Sequence, residues 1–350
     1  MNLLSLKISE ISQQPGDNLI FKFENTPEKI DYLPGQFLTL IFQVNGKEIR
    51  RSYSLYSTPC LDEPLSIAVK LVENGEISRY LHHKTSVGDV LTALAPTGLF
   101  TYIPFKDTRR TVFLFAAGIG ITPIFAILKT ALLKEQNSKI VLIYSNRSVN
   151  TTLFYEELNE WQRKYPERLT IVYFFSDAKI IMKARLNKFM IEQLVLEHME
   201  YDPMQALFYT CGPVDYMVNC RIVLLSMKYS LDQIKRETYF IPEDDADEDD
   251  ATEKRIADQN TYSVRILWNK NSYDLSVPYY KRILDIALEN NINLPYSCRA
   301  GICSSCTSSC TSGSVRMDYN EVLTDQEVAS GRVLICTAHP TSNDTTIVIG

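Results

Sequence analysis

The stretch Cys298-Arg-Ala-Gly-Ile-Cys303-Ser-Ser-Cys306 places three thiols in one short loop rich in small residues. A fourth thiol, Cys336, follows at a distance in the apolar run Val-Leu-Ile-Cys-Thr. This C-x4-C-x2-C…C spacing is typical of chains that hold a [2Fe–2S] cluster through four thiolates. We therefore predict that these four cysteines ligate such a cluster, which carries one electron at a time.

Two other uses of these cysteines are less consistent with the spacing. A zinc site usually combines two paired turns, and here only Cys303 and Cys306 form a C-x2-C turn. Eight cysteines among 350 residues do not make a disulfide scaffold. Cys310 could compete as a ligand, but the long spacing to Cys336 favours the cluster pattern. We expect Cys310 to be a buried free thiol.

Length and charge restrict the class of protein. A chain of 350 residues can hold two or three domains, and its net charge of −6 argues against nucleic-acid binding. The apolar run from Val112 to Leu128 falls short of a membrane span, and a buried strand that turns into a helix produces the same pattern. Because no secretory signal precedes the cysteines, we expect a cytoplasmic protein without a membrane span.

Residues 1–106 read as short strands separated by turns, which predicts a small antiparallel β-barrel. Asn45-Gly46 lies between two strand-like runs and predicts a hairpin. The tetrapeptide Arg51-Ser52-Tyr53-Ser54 is the first chemical motif. A guanidinium can pair with a phosphate, and a tyrosine ring with a serine hydroxyl suits an aromatic heterocycle. An exposed strand with scattered polar residues would look the same.

A second motif lies about twenty residues further on. A strand containing Val69 and Lys70 ends in a turn at Gly75, and a short helix is expected to begin near Ser78, directly after Ile77. Free N–H groups at the start of a helix bind phosphate readily. The alternative is that the serine is only a structural N-cap.

Residues 107–240 show the alternation of strands and helices that predicts a parallel α/β sheet. The first strand, Thr111–Phe115, is followed by the loop Gly118-Ile-Gly120-Ile-Thr122-Pro123 and an apolar helix. The glycines let the backbone approach a pyrophosphate at the helix N-terminus, and Pro123 suits the first helical turn. The loop reads G-x-G-x-x-P, which argues against an ordinary dehydrogenase.

The ends of two later strands carry further candidates. After the strand Lys139–Tyr144 the chain reads Ser-Asn146-Arg147, without the acidic residue that would bind a ribose hydroxyl. Because an arginine can hold a 2′-phosphate, NADPH is favoured over NADH. A further strand ends at Cys211-Gly212-Pro213, where ligands of such sheets bind. The alternative for Cys211 is an inert buried thiol.

The composition changes after Phe240. The run Glu243–Asp250 is strongly acidic and predicts an extended linker over residues 241–260. Residues 261–350 predict a small α+β domain. We expect a hairpin around Asn269-Lys270-Asn271, a helix at Ile283–Glu289 and a returning strand, Val333–Cys336.

Taken in order, these motifs resemble the ferredoxin–NADP reductase superfamily over residues 1–240, followed by a plant-type ferredoxin domain. Segments such as Ile143–Arg147 and Glu237–Phe240 are most similar to oxygenase reductase components of the phenylacetyl-CoA epoxidase type. The resemblance implies a multidomain protein with three parts: an antiparallel β-barrel flavin domain, an α/β parallel-sheet nucleotide domain and a β-grasp-like α+β ferredoxin domain.

The resemblance also implies roles for single residues. The FAD site would comprise Arg51, Ser52, Tyr53, Ser54, Val69, Lys70, Gly75, Ile77 and Ser78. The nicotinamide dinucleotide would be held by Gly118, Gly120, Thr122, Pro123, Asn146, Arg147, Cys211, Gly212 and Pro213. Within these sets the implied catalytic residues are Cys211, Tyr53 and Ser54, which would lie beside the reacting rings.

The implied activity is electron transfer from NADPH through FAD and the [2Fe–2S] cluster to an oxygenase such as phenylacetyl-CoA epoxidase. A nearer alternative is an NADH- or FMN-dependent reductase of another acceptor, such as a ring-hydroxylating dioxygenase or a desaturase. A more distant alternative is a cysteine-rich zinc or redox-sensing module without enzymatic activity.

Overall fold

The computed structural model describes residues 3–25, 30–44, 46–178, 185–237 and 260–349. The chain divides into two compact units, Asn2–Thr238 and Tyr239–Gly350. The predicted acidic linker lies outside the described residues, apart from Asn260.

The first unit begins with a six-stranded antiparallel sheet whose strand order is β4-β3-β6-β1-β2-β5. Its strands are β1 (Leu3–Gln14), β2 (Asn18–Phe23), β3 (Phe37–Val44), β4 (Lys47–Ser54), β5 (Ser66–Lys70) and β6 (Val90–Thr97). The two edge strands of this order are β4 and β5. A bridge between Leu55, which directly follows β4, and Ile67 in β5 connects these two edges. Helix α1 (Glu76–His83) adds Ile77 and Leu81 to the apolar interior. The predicted antiparallel barrel is confirmed.

The hairpin of β3 and β4 has the predicted two-residue turn. Val44 lies opposite Lys47, and Gly46 has a φ of 76°. Glycine reaches this left-handed region without steric cost, which is why it is favoured in tight hairpins. The turn fixes the register of β4 and therefore the positions of its polar side chains.

The first unit continues as a five-stranded parallel sheet with the order β11-β10-β7-β8-β9. Its strands are β7 (Thr111–Ala117), β8 (Lys139–Asn146), β9 (Leu169–Phe175), β10 (Leu207–Cys211) and β11 (Ile234–Glu237). Its helices are α2 (Ile121–Lys134), α3 (Tyr155–Lys164), α4 (Lys188–His198) and α5 (Val214–Ser226). The strand order reverses between β7 and β10, and ligands of open α/β sheets bind at such a point.

The apolar run from Val112 to Leu128 is part of this sheet. It covers most of β7, a short 3-10 turn at Gly118–Gly120 and the first half of α2. Every residue of β7 is buried, as expected for a central parallel strand covered on both faces. In the described ranges, no helix is long and apolar enough to cross a membrane.

The second unit is a mixed sheet of order β13-β12-β18-β14-β16 with a separate pair, β15 and β17. The strands are β12 (Thr261–Trp268), β13 (Asn271–Pro278), β14 (Thr307–Ser312), β15 (Val315–Met317), β16 (Arg332–Leu334), β17 (Ala338–Pro340) and β18 (Thr345–Val348). The helices are α6 (Ile283–Glu289) and α7 (Asp325–Ala329). Strands β12 and β18 are parallel, and α6 packs on the sheet core through Ile283, Leu284 and Ala287. The predicted α+β domain is confirmed.

Two local expectations for this unit were wrong. The β12–β13 turn has two residues, Asn269 and Lys270, because Asn271 already pairs with Trp268. Both turn residues have positive φ, which matches the twist of a tight hairpin. The returning strand ends at Leu334, so Cys336 lies in the turn before β17. A residue in a turn does not follow the alternating side-chain directions of a strand, so the direction of the Cys336 thiol is not set by that alternation.

Candidate functional site

The end of β4 contacts the end of β11. The buried Ser54 hydroxyl donates a hydrogen bond of 2.9 Å to Oε2 of Glu237. Glu237 in turn lies beside Cys211, its partner in the parallel register of β10 and β11. The structure therefore brings the predicted Ser54 and Cys211 to the same edge of the sheet. Glu237 was missed as a candidate, although its segment contributed to the family resemblance.

The loops after β7 and β10 pack directly on each other. A Cβ atom added to Gly120 would lie 2.3 Å from the Cys211 carbonyl oxygen, so no side chain fits there. A Cβ added to Gly212, whose φ is +158°, would lie 2.9 Å from the Ala117 Cβ. Gly118 has a φ of +54°, and a Cβ there would meet no atom within 4 Å. The two loop glycines thus differ: Gly120 is required by packing, whereas Gly118 borders open space.

The tetrapeptide on β4 has a distinct environment at each position. Arg51 is exposed, and its Nη1 donates to its neighbour's carbonyl, Arg50 O, at 2.8 Å. The Ser52 hydroxyl lies 3.2 Å from the Thr39 hydroxyl. Tyr53 packs against the barrel core, and this burial raises the pKa of its phenol, which stays protonated at neutral pH. Within the tetrapeptide, Arg51 therefore presents an exposed guanidinium.

Helix α1 begins two residues earlier than expected. Its N-cap is Gly75 and no side chain caps the first turn, so the alternative of a structural Ser78 N-cap was wrong. The Ser78 hydroxyl instead accepts a hydrogen bond from Val72 N at 3.2 Å. Ile77 and Val69 are buried in the barrel core, whereas Lys70 is exposed. A first turn without a side-chain cap fits an anionic ligand such as a flavin pyrophosphate.

The end of β8 contributes both a nucleotide-site candidate and a contact to the glycine loop after β7. Asn146 is the last residue of the strand and Arg147 is exposed. The Ser148 side chain forms a capping box with Thr151, so this serine has a structural role. The buried Tyr144 hydroxyl donates to the Gly118 carbonyl at 3.1 Å. Tyr144 was not predicted, and it fixes the glycine loop to the neighbouring strand.

The start of α2 and the start of α5 complete this edge. Thr122 is buried, and its hydroxyl donates to Ile119 O at 3.0 Å, while Pro123 lies in the first turn of α2 as predicted. Pro213 is the N-cap of α5. Burial raises the pKa of the Tyr216 phenol well above its ordinary value. Tyr216 was also missed, since nothing in the sequence distinguishes it from an ordinary helical tyrosine.

The second unit brings the four predicted cluster cysteines together. The Cys298 thiol is hydrogen-bonded with Cys303 and Cys336, and Cys336 is hydrogen-bonded with Cys306 as well. The Cys310 thiol lies instead on β14, where its Sγ donates to Ser312 O at 3.2 Å. Cys310 thus lies on a strand outside the loop, and it is half-buried where a buried thiol was expected.

The backbone of the cysteine loop directs donors at sulfur. Ala300 N donates to Cys298 Sγ at 3.3 Å, and Cys298 N donates to Cys303 Sγ at 3.4 Å. Hydrogen bonds from Cys303, then Cys336, and from the Ala300 backbone lower the pKa of Cys298 well below its ordinary value, whereas the same thiol contacts raise the pKa values of Cys303 and Cys336. Such donors stabilise negative charge on sulfur, which a thiolate-ligated iron cluster requires. The residues present therefore fit a [2Fe–2S] cluster.

Left-handed backbone conformations let the loop curl around its thiols. Arg299, Gly301 and Ser304 have φ values of 58°, 74° and 56°. A Cβ added to Gly301 would lie 2.5 Å from the Tyr319 carbonyl oxygen, so only glycine fits there. In the part of the chain that the structure describes, no three His, Cys, Asp or Glu side chains are arranged to hold a single metal ion. A two-iron cluster differs from such a site because its thiolates are divided between two irons.

Family models match three consecutive parts of the chain. An oxidoreductase FAD-binding domain matches residues 5–102 and an oxidoreductase NAD-binding domain matches residues 114–221. A 2Fe-2S iron-sulfur cluster binding domain matches residues 267–341. Fold, site and family models together define a flavin- and nicotinamide-dependent reductase with its own ferredoxin domain.

Relatives match this chain over nearly its whole length. The ferredoxin reductase component of 3-ketosteroid-9-alpha-monooxygenase from Mycolicibacterium smegmatis is 31% identical, covering 98% of this chain and 96% of that protein. One of the subunits of 1,2-phenylacetyl-CoA epoxidase from Escherichia coli is 29% identical, with 98% and 96% covered. The glycine betaine monooxygenase reductase subunit from Chromohalobacter salexigens is 25% identical, with 97% and 94% covered. The chain belongs to this family of oxygenase reductase components.

Solved structures show the same fold. Phthalate dioxygenase reductase matches with a TM-score of 0.61 at 23% identity, covering 99% of this chain and 98% of that one. An intact type IV self-sufficient cytochrome P450 monooxygenase matches with a TM-score of 0.74 at 19% identity. That match covers 99% of this chain and 41% of the cytochrome, so the fold also occurs within a longer chain.

Proposed function

We propose that this reductase takes electrons from NADPH and supplies them, through FAD and a [2Fe–2S] cluster, to phenylacetyl-CoA epoxidase. One observation carries the proposal. Ser54 contacts Glu237, Glu237 lies beside Cys211, and the Cys211 carbonyl is in close contact with Gly120. This continuous series of contacts joins the flavin motif on the barrel to the nucleotide motif on the parallel sheet.

The chain's own groups would bind and orient the two rings at this edge. When bound, FAD accepts two electrons together from the nicotinamide and releases them one at a time. The Glu237 carboxylate holds the Ser54 hydroxyl in one orientation, and the small, fully buried Cys211 lies beside Glu237. Arg51 would pair with the flavin phosphates, with Tyr53 beside the ring.

The preference for NADPH rests on the end of β8. Arg147 is exposed there, and the neighbouring Asn146 carries no charge. An acidic side chain at this position would accept hydrogen bonds from an unmodified ribose and repel a 2′-phosphate. A guanidinium pairs with that phosphate through charge-assisted hydrogen bonds. These features support NADPH as the electron donor.

We further propose that the cluster is held by Cys298, Cys303, Cys306 and Cys336. The backbone N–H groups that point at two of these sulfurs would stabilise their negative charge. The domain boundaries we propose are residues 1–106 for FAD, 107–240 for the nucleotide, 241–260 for the linker and 261–350 for the cluster.

The named relatives serve different oxygenases, so the acceptor must be tested. A component of phenylacetyl-CoA epoxidase and the steroid monooxygenase reductase component each match 98% of the chain, so coverage does not separate them. We place phenylacetyl-CoA epoxidase first because of the segments Ile143–Arg147 and Glu237–Phe240. A steroid monooxygenase is the second candidate, because its reductase component matches at similar identity.

The test has two stages. Anaerobic titration of the purified protein with NADPH and with NADH should bleach the flavin, with NADPH effective at lower concentration. Analysis of iron should give about two atoms per chain. The reduced protein is then mixed with the epoxidase oxygenase or with the steroid oxygenase, and product is measured. Lack of flavin bleaching would contradict the reductase function, and turnover only with the steroid oxygenase would contradict the choice of acceptor.

A further inference from the structure

A buried ion pair joins the flavin barrel to the nucleotide sheet within the first unit. Lys129 lies in the middle of α2, with 1% of its side chain exposed. Its Nζ is 2.7 Å and 2.9 Å from the two carboxylate oxygens of Glu63. Glu63 belongs to the segment between β4 and β5, so the pair connects the barrel loop after the flavin motif with the helix after the glycine loop.

A hydroxyl pair reinforces the same connection. The Thr58 and Thr130 hydroxyl oxygens are 2.6 Å apart and buried. The Thr130 hydroxyl donates to Ala126 O, so Thr58 is the donor within the pair. The backbone N–H of Thr58 also donates to Glu63 Oε1 at 2.6 Å. The barrel thus contributes Thr58 and Glu63, and the nucleotide domain contributes Lys129 and Thr130, to one contact in which only the Glu63 side chain is partly exposed.

Aromatic rings enclose the ammonium group. Lys129 Nζ lies 4.9 Å from the centroid of the Phe125 ring and 5.5 Å from that of Tyr56. The Phe154 ring packs on both, with centroids 5.0 Å from Phe125 and 4.9 Å from Tyr56. Phe154 has a φ of 60°, a conformation that is costly for a bulky side chain. Such strain persists only where the surrounding contacts define the conformation closely.

The energetics of the Lys129–Glu63 pair indicate a role in positioning α2 against the barrel and not in raising the free energy of unfolding. Burial lowers the pKa of Lys129 and the Glu63 carboxylate opposes that shift, so the ammonium group depends on its partner. Burial likewise raises the pKa of Glu157, another carboxyl that interacts with Lys129. Replacing a buried ion pair by apolar side chains is often neutral for stability, because desolvation offsets the attraction. An apolar contact, however, does not define one orientation as a bidentate pair does.

We propose that Lys129 and Glu63 are positioning residues that set the distance between the nicotinamide and the flavin. Helix α2 starts at the Gly118–Gly120 loop, so fixing α2 against the barrel also fixes that loop relative to Ser54 on β4. This inference rests on the proposed function. In the step concerned, a C–H bond of the reduced nicotinamide breaks and its hydrogen passes with both electrons to the flavin, which is reduced as the nicotinamide is oxidised.

The experiment compares Lys129→Met, Glu63→Gln and the double variant with the wild-type holoprotein. Anaerobic stopped-flow measurement gives the limiting rate of flavin reduction by NADPH, and NADPH with both C4 hydrogens deuterated gives the isotope effect. We expect each single variant to lower the limiting rate about tenfold to hundredfold, because small misplacements of reacting atoms have such effects. The double variant should be little slower than the singles, since the two residues act as one unit. The Kd for NADP⁺ should change less than about twofold.

The matched control is Val195→Ala. Val195 is fully buried in the core of the nucleotide domain, packed with Ile191 and Val223. Its truncation lowers thermal stability without touching the ion pair, and we expect a wild-type limiting rate and isotope effect. Glu63→Gln keeps the shape of the side chain and serves if Lys129→Met does not fold.

Three outcomes would overturn the inference. If the ion-pair variants melt earlier but reduce their flavin at the wild-type rate with the wild-type isotope effect, the pair is only structural. If a lower rate comes entirely from weaker NADP⁺ binding, the pair affects affinity and not position. If the wild-type protein itself is not reduced by either nicotinamide, the proposed function fails together with this inference.

Discussion

The Ser54 hydroxyl donates a hydrogen bond of 2.9 Å to the Glu237 carboxylate, although 183 positions separate the two residues in the chain. This bond connects the last residue of β4 in the barrel with the last residue of β11 in the parallel sheet. Because Glu237 lies beside Cys211, it places a barrel hydroxyl next to the strand end where nucleotides bind.

The first prediction concerns this hydroxyl. Ser54→Ala should lower the limiting rate of flavin reduction by NADPH at least about tenfold. The variant loses the hydroxyl that Glu237 orients at the proposed reacting edge. Stopped-flow absorbance measures the rate. The control is Ser9→Ala, which removes a hydroxyl bonded to Lys22 O on the exposed part of the barrel. Equal rates for the two variants would show that Ser54 has no part in the reaction.

The two glycines of the nucleotide loop should respond differently to alanine. Gly120→Ala places a Cβ 2.3 Å from the Cys211 carbonyl oxygen and should lower the free energy of unfolding by about 3 kcal/mol. Gly118→Ala meets no atom and should cost about 1 kcal/mol, the strain of its positive φ. Urea unfolding followed by circular dichroism measures both. A larger loss for Gly118→Ala would contradict the packing of Gly120 on Cys211.

Arg147 should determine the choice of nicotinamide. Arg147→Ala should raise the Kd for NADP⁺ about tenfold, since a charge-assisted hydrogen bond contributes about 1.5–3 kcal/mol. The Kd for NAD⁺ should be unaffected, because NAD⁺ lacks the 2′-phosphate. Calorimetric titration measures both constants, and Arg163→Ala on the exposed face of α3 is the control. Equal weakening for the two nucleotides would assign Arg147 a different role.

The variants Cys336→Ser and Cys310→Ser should differ in the iron content of the purified protein. Cys336→Ser removes a thiol that contacts Cys298 and Cys306, and the purified protein should lack the cluster. Cys310→Ser changes a thiol bonded to Ser312 O on β14 and should retain about two irons per chain. Iron and sulfide analysis, together with visible absorption, measures whether each variant retains the cluster. Loss of iron from the Cys310 variant would mean that the ligand set is wrong.

Asp318 should make the free energy of unfolding of the second unit depend on pH in the acidic range. Burial would raise the pKa of its carboxyl, but hydrogen bonding to His339 and the charge of Arg316 together lower it to about 2. Since the unfolded value is about 4, this stabilisation is present above about pH 4 and is lost as the pH falls towards 2.

Asp318→Asn should therefore lower the free energy of unfolding at pH 7 by about 1 kcal/mol, a value reduced for partial solvent exposure. The difference from wild type should shrink at pH 3, as measured by urea unfolding at both pH values. Asp274→Asn is the control: Arg265 lowers the pKa of this carboxyl in the same direction, but the pair is fully exposed and screened by solvent, so its pH-dependent difference should be much smaller. A constant difference across the pH range would exclude ionisation of Asp318 as the cause.

Much of the architecture could be predicted because it follows from local patterns. The helix Ile283–Glu289 has the predicted bounds, since its apolar periodicity is strong. The start of α1 was placed too late because a serine resembles an N-cap, whereas the helix begins after Gly75. The position of Cys336 was missed because an apolar run does not show where its strand ends.

The sequence by itself determined the three-domain order and the cysteine spacing of the candidate cluster, because both depend on residues close together in the chain. Only the tertiary structure showed that Glu237 meets Ser54, that Gly120 packs on Cys211 and that Lys129 pairs with Glu63. The Ser54–Glu237 and Lys129–Glu63 contacts depend on how the barrel and the parallel sheet pack together, whereas Gly120 meets Cys211 because β7 and β10 are neighbours in one sheet. No short-range pattern encodes these contacts, because their partners are far apart in the chain and approach only when the domains have folded.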